Sequence, residues 1–245
     1  MLYADRRVSA LGPGGVAERC GPWLAIDPGI DFPLFNMAIV AEPVLPARVE
    51  QALRSAQGWF EQRRLGSYRL VARAGVDGPL IASARTLGFE VTDEMACMAL
   101  LDPTLAPAAA QGMEVRAVRD EADLALYCTH FSGADPEWEA IIAGIGRTAM
   151  ALDGFTLLLG LCEGVPVATS MAVVAGATVG VYNVGVDPRY RRRGFGTAMS
   201  RAAVRVGTEN GCTLAGLQSS EMALQMYEAL GFRTVETYLS LEPPR

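Results

Sequence analysis

The segment Val181 to Val206, VYNVGVDPRYRRRGFGTAMSRAAVRV, restricts what this chain can be more than any other. An apolar strand ends at Val186, Asp187-Pro188 turns the chain, a basic loop with two glycines follows, and an amphipathic helix begins near Gly196. A strand, a glycine-bearing loop and a helix in that order aim several backbone N–H groups at one point. The helix N-terminus adds about half a positive charge there. Gly194 and Gly196 let the main chain approach an anion closely, and Arg191, Arg192 and Arg193 offer guanidinium donors to phosphate oxygens. In chemical outline this is a pyrophosphate site. A dinucleotide fingerprint would need a third glycine where Met199 stands. A P-loop would need a lysine, and the chain has none.

The elements around this loop define a mixed α/β domain. Met113–Val118 alternates like a strand, and Arg119–Phe131 has helical spacing with acidic residues at its start. Phe155–Cys162, then PVATSMAVVAG and ATVGVYNVGV, are β-rich runs separated by turns. After the helix that follows the loop come a buried-type strand (Cys212–Gln218), a helix from Glu221 stopped by Gly231, and a last strand, RTVETYLSL. A meander followed by strand–helix–strand–helix–strand implies α/β or α+β packing, with helices flanking a mostly antiparallel, twisted sheet.

The first half repeats part of this order. LGF occurs at Leu87–Phe89 and at Leu230–Phe232, 143 positions apart. Near the same offset Ser67–Gly75 falls on CTLAGLQ, the helix ending at Arg64 falls on the one ending near Glu209, and Phe35–Pro43 falls on TVGVYNVGV. The N-terminal half therefore reads as a degraded partial copy. Leu101–Gly112, rich in Pro and Ala, reads as a linker, giving an N-terminal domain 1–104, a linker 105–112 and a catalytic domain 113–245.

Arg191-Arg192-Arg193-Gly194-Phe195-Gly196 resembles the R/Q-x-x-G-x-G/A signature of the GNAT superfamily of acyl-CoA N-acyltransferases, and VGVDPRY resembles that family's splayed central strand. SSEMALQMYEALGF resembles its second motif, in the right order along the chain. The resemblance covers Met113 onward and implies acetyl transfer from acetyl-CoA, as co-substrate, to a primary amine of a small molecule or peptide. It implies that Arg191–Thr197, Phe195 included, bind pyrophosphate, and that Val184, Gly185 and Val186 pair with the pantetheine arm. It further implies that Tyr227 is the general acid and that Ser220, where relatives often carry Asn, touches the cofactor. The alternative it leaves is a non-catalytic acyl-CoA-binding or sensing module.

No general base is singled out. The central strand offers Tyr182 and Asn183 where relatives often have Glu; Glu163 reads as a solvated turn residue, Asp135, Glu137 and Glu139 as caps or solvated helix positions, and His130 as a packing residue. In the first half VAEPVLPARVE lacks the glycine pair, and Ala84 stands where Tyr227 would fall, so that copy is not expected to bind CoA. Trp23, Phe32, Phe35 and Asn36 are candidates for an acceptor-pocket wall, with core packing the simpler reading of the aromatics.

Bulk composition narrows the classes. A net charge of −6 disfavours non-specific nucleic-acid binding and mildly favours a cationic acceptor. Five scattered cysteines without a CxxC pair and a single histidine argue against disulfides and against a metal site. No apolar run approaches the ~18–20 residues that span a bilayer, and MLYADRRVSALGPGG has no signal-peptide core. A soluble cytoplasmic protein is the expectation, and a homodimer is compatible with it.

Overall fold

A computed structural model describes residues 15–29, 35–104, 112–132 and 135–244, with the side chains of 130–132 and 137 set aside. The elements of the first half are β1 (Val16–Cys20), β2 (Trp23–Asp27), β3 (Met37–Val40), α1 (Val49–Gln62), β4 (Arg69–Arg73), α2 (Gly78–Thr86) and β5 (Glu90–Leu101). The second half adds β6 (Glu114–Ala117), α3 (Glu121–Ser132), α4 (Pro136–Ala151), β7 (Phe155–Cys162), β8 (Val165–Ala175) and β9 (Thr178–Val186). It ends with α5 (Phe195–Glu209), β10 (Leu214–Ser219), α6 (Leu224–Ala229) and β11 (Arg233–Glu242). The expected elements of the second half are present to within a few residues, among them α4, the helix expected after Asp135, whose Oδ1 accepts the Trp138 N–H at 3.0 Å.

Two compact units result, and they are not the two sequence halves. The C-terminal unit holds Met98–Gln218 and Ala223–Arg233; the N-terminal unit holds the chain through Cys97 together with Ser219–Met222 and the residues from Thr234 on. The expected cut between 104 and 113 therefore differs from the structure, and residues 105–111 of that linker lie outside the described residues. In the N-terminal unit the strand order is β1-β2-β3-β4-β11-β5; in the C-terminal unit it is β5-β10-β9-β8-β7-β6. The chain's last strand thus completes the N-terminal sheet, pairing antiparallel with β4 through Tyr238↔Arg73 to Leu241↔Leu70. The strand closing the first copy of the repeat, β5, runs on past Cys97 to lie beside β10.

The repeat is visible in the hydrogen bonds. The Phe89 N–H bonds the Ala84 carbonyl at 3.0 Å, and the Phe232 N–H bonds the Tyr227 carbonyl at 3.1 Å. Gly88 (φ 87°) and Gly231 (φ 94°) take the left-handed conformation at matching helix ends, which only glycine adopts without strain. Each unit also has a parallel pair bridged by a helix: β3 and β4 across α1, β9 and β10 across α5.

In the N-terminal unit one face of the sheet buries Trp23, Ala25, Val40, Leu70, Leu239 and Leu241 against the Leu53, Ala56 and Phe60 face of α1. Leu241 is 1% exposed. Leu241→Ala, four positions before the last residue of the sequence, is expected to lower the stability of the N-terminal unit by about 2–5 kcal/mol. Thermal unfolding in a Trp138→Phe background, where Trp23 and Trp59 report, measures this; an unchanged midpoint would contradict the pairing of β11 with β4. In the C-terminal unit α5 packs Ala198, Met199, Ala203 and Val204 inward, and a Cβ on Gly207 would collide with Val179 of β9.

Candidate active site

The site begins where two strands part. β9 and β10 are paired in parallel only at Thr178, Val179 and Gly180, opposite Leu214, Ala215 and Gly216. Both strands continue, β9 to Val186 and β10 to Ser219. On its other side β9 stays paired with β8 up to Ala168↔Val186, and the Asp187 N–H bonds the Val167 carbonyl at 2.9 Å. Backbone groups of successive strand residues alternate in direction. With Asp187 facing β8, the groups of Val186 and Val184 face the opening between β9 and β10. An extended amide-bearing chain fits that edge as an added strand.

The basic loop lies at the end of the same opening. Asp187 caps a short 3-10 turn, Pro188–Tyr190, accepting from the Arg189 N–H at 2.8 Å, and it also pairs with the Arg189 guanidinium at 2.7 Å. Arg189 is thereby tied to its own turn. Arg191 is anchored by Nε to the Val186 carbonyl at 3.3 Å. Arg193 lies over Tyr190 and Phe195, 5.3 and 5.0 Å from the ring centroids, which keeps its charge beside the loop. Arg192 has φ 60° and an exposed side chain.

The two glycines do different work. Gly194 has φ 81° and a Cβ there would meet nothing within 4 Å, so its requirement is conformational. At Gly196 a Cβ would stand 3.0 Å from Met226 Sδ and 3.6 Å from Val186 Cγ2, so its requirement is space. The first helical bond of α5 runs from the Ala198 N–H to the Gly194 carbonyl at 3.0 Å. The N–H groups of Phe195, Gly196 and Thr197 precede it and have no acceptor within the helix. Phe195 itself is 1% exposed and pins the helix start into the core.

Tyr227 sits on α6, 5% exposed, with its ring edge-on to Phe232 at 5.8 Å. Burial raises its pKa above the ordinary phenol value, and a hydrogen bond from Ser200 works the other way. Ser200 is fully buried on α5, and its single hydroxyl proton has the Gly196 carbonyl, at 2.8 Å, as its alternative acceptor. The phenol is therefore held by the helix whose first turn forms the loop, and Met226, its neighbour on α6, flanks Gly196. Tyr227 and Arg191–Thr197 are brought together in one unit. Ser220 is exposed and belongs to the segment grouped with the N-terminal unit; its carbonyl accepts from Ser219 Oγ at 2.8 Å.

The acidic candidates have structural partners. Asp135 caps α4, Glu139 accepts from Thr129 at 3.2 Å, and Glu163 occupies an exposed turn at φ 51°. The side chains of His130 and Glu137, and all of Phe32, lie outside the described residues. Trp23 is a core residue whose Nε1 donates to the Ala52 carbonyl at 2.8 Å, and buried Asn36 donates to the Ser67 carbonyl at 3.1 Å. The copy of the loop in the N-terminal unit has no opening beside it: the β3–β4 ladder runs through Ile39↔Val71, and β3 ends one residue later. Among the described residues no group of three metal-ligating side chains is found, and no helix is long and apolar enough to cross a membrane.

Asn183, noted in the sequence only as standing where relatives often have Glu, holds the strand edge together with Thr169 and Tyr127, which pattern reading did not single out. Asn183 has φ 52° at a bulge of β9, its carbonyl accepts from Thr169 Oγ1 at 3.1 Å, and its amide donates to the Tyr127 hydroxyl at 3.4 Å. An Asn inside an otherwise β-forming run was the available signal.

Comparison with known proteins follows this geometry. Residues 118–232 match the Acetyltransferase (GNAT) family. A glucosamine 6-phosphate N-acetyltransferase of Trypanosoma brucei brucei is 40% identical over 68 residues, which is 27% of this chain and 46% of that enzyme. The chain thus spans under half the length of that curated relative. A GCN5-related N-acetyltransferase from Kribbella flavida superposes with a TM-score of 0.76 at 21% identity, over 99% of this chain and 94% of its own. A tandem GNAT protein from the clavulanic acid biosynthesis pathway does so with a TM-score of 0.64 at 15% identity, over 98% and 86%. These two show the fold across both halves, including the partial copy. The parted central strands and the basic glycine loop both fall within residues 118–232, the region of this chain that matches the GNAT acetyltransferase family.

Proposed function

We propose that the protein transfers the acetyl group of acetyl-CoA to a primary amine, by direct attack within a ternary complex. The observation that carries this is the opening beyond Gly180 and Gly216, which ends at the N-terminus of α5. The residues fit the cofactor: Arg191, Arg193 and the N–H groups of Phe195 to Thr197 for pyrophosphate, and Val184 and Val186 for the amides of pantetheine. Arg192, Gly194 and Gly196 shape the loop.

In the reaction the amine nitrogen attacks the thioester carbon, the C–N bond forms and the C–S bond breaks. The Val184 N–H donates to the carbonyl oxygen as its negative charge develops. Tyr227 gives its proton to the departing sulfur, whose basicity a phenol matches within a few pKa units. The acylated amine loses its extra proton to solvent. The C-terminal unit carries this chemistry, and the N-terminal unit, lacking an opened strand pair, takes no cofactor.

Isothermal titration of acetyl-CoA tests the reading, with one site per chain expected. Two sites would mean that the N-terminal unit binds as well, and no binding would end the proposal. Thiol release in a panel of amines then separates an enzyme from a sensor. Glucosamine 6-phosphate, the acceptor in the trypanosomal relative's name, is the first amine in that panel.

A further inference from the structure

We infer that the side-chain amide of Asn183 receives the acceptor amine, and that the site in consequence takes weakly basic amines, those already unprotonated near neutral pH. The inference rests on the acetyl-CoA reading above and adds to it the class of acceptor. Asn183 precedes Val184, whose N–H that reading sets against the thioester oxygen, so its side chain leaves the strand beside the carbon under attack. β9 is buried at Val179, Gly180 and Val181 and half-exposed from Tyr182 to Val186, so a dissolved amine can reach this stretch. β8 tells its two faces apart. Ser170 donates to the Met199 carbonyl of α5 at 3.1 Å, and its neighbour Thr169, pointing the other way, donates to the Asn183 carbonyl at 3.1 Å. The Asn183 amide then reaches Tyr127 of α3 at 3.4 Å, away from α5. Tyr227 is tied to α5 through Ser200, so the proton donor for the departing sulfur and the amide beside the incoming nitrogen lie on opposite faces of β9.

The amide nitrogen is occupied by Tyr127, and among the described residues no donor reaches Asn183 Oδ1. An amide oxygen accepts one N–H of a neutral amine and leaves the nitrogen lone pair for the thioester carbon. It takes no proton at neutral pH, and it lacks the charge with which a carboxylate would hold an ammonium ion. The titratable groups around it are committed elsewhere. On α3, burial keeps the Tyr127 phenol protonated well above its ordinary range and pushes the Cys128 thiol up to about 11. Glu121 pairs with Arg147 at 3.1 Å, and Asp123 pairs with Arg116. β8 and β10 bring no titratable side chain, Tyr182 precedes Asn183 on β9, and α5 brings Arg201 and the Arg205–Glu209 pair at 3.7 Å. A reference α-amino group titrates at about 7.7–8.0 and a lysine-type ε-amine at about 10.4. At pH 7.5 roughly a quarter of the first is neutral or more, against about 0.1% of the second. A site that receives only the neutral form discriminates by that ratio.

The test follows kcat/KM against pH for two acceptors, alaninamide with its α-amine and Nα-acetyl-lysinamide with its ε-amine. In the wild type the ascending limb is expected to have its midpoint at each acceptor's own pKa, about 8 and about 10.4. At pH 7.5 the α-amine is expected to be favoured on the order of 100-fold. Asn183→Asp keeps the size and the tolerance of left-handed φ, and supplies a carboxylate that holds the ammonium and takes its proton. It is expected to cut the preference at least about tenfold and to detach the limb from the acceptor's pKa. Its acetyl-CoA affinity and melting temperature should stay near those of the wild type. His130, whose side chain lies outside the described residues, is tested as His130→Ala, which is expected to leave both limbs in place. One limb at the same pH for both acceptors, or a limb lost in His130→Ala, assigns the proton to a side-chain base and overturns the inference. So does an Asn183→Asp preference equal to that of the wild type. Wild-type protein that binds acetyl-CoA and acetylates neither amine overturns the acceptor class and leaves the cofactor reading standing; protein that binds no acetyl-CoA overturns both.

Discussion

Gly196→Trp is expected to abolish measurable acetyl-CoA binding, raising the dissociation constant at least about 100-fold, or roughly 2.7 kcal/mol. The Cβ alone would reach to 3.0 Å from Met226 Sδ, and the indole would extend over the first turn of α5, where the pyrophosphate is to lie. The obstruction falls on the ligand and not on the fold: Met226 is an unbranched side chain that can swing aside, and the flanking loop is exposed. A melting temperature within a few degrees of wild type would show that the loss is local. Gly196→Ala, which asks only that Met226 move, is expected to weaken binding about tenfold or less. Titration calorimetry measures both, and a tryptophan variant with wild-type affinity would remove the loop from the cofactor site.

Replacing Tyr227 by Phe should lower kcat by about 100-fold while acetyl-CoA affinity stays within about threefold, as expected when a general acid acts only on the departing group. The pH profile carries the sharper signature. A general acid works while it is protonated, and burial raises the Tyr227 pKa, so the alkaline limb of kcat should lie above the ordinary phenol value of about 10. The Ser200 hydroxyl stabilises the phenolate and pulls the other way, so Ser200→Ala should push that limb higher still. In Tyr227→Phe the limb should vanish. Steady-state rates between pH 6 and the onset of alkaline unfolding test this; a variant with wild-type kcat and an unaltered limb would exclude Tyr227 from the proton transfer.

Much of the site could be read from the chain because its parts are local. Val181–Val206 carries the strand, the turn, the glycines and the amphipathic helix within one contiguous stretch, and each property depends on neighbours a few residues away. The repeat was legible for the same reason, since Leu87-Gly88-Phe89 and Leu230-Gly231-Phe232 end helices in the same local geometry. The separate tasks of the glycines were not legible. That Gly194 answers to φ and Gly196 to space depends on Met226, thirty positions further along the chain.

The sequence by itself determined the mixed α/β class, the loop, the placement of Tyr227 on the helix after β10, and the loss of glycines and tyrosine from the first copy. Each of these follows from residue type and short-range periodicity. The tertiary structure alone decided that β11 pairs with β4 and that β5 lies beside β10, because alternation along a strand states which face is buried but not which strand supplies the ladder. It also decided that β9 and β10 part after Gly180 and Gly216, and that Asn183 takes a left-handed conformation where the β8–β9 register shifts. Those outcomes arise from hydrogen bonds between residues dozens of positions apart, such as Asn183 with Tyr127, and no local pattern encodes such a partner.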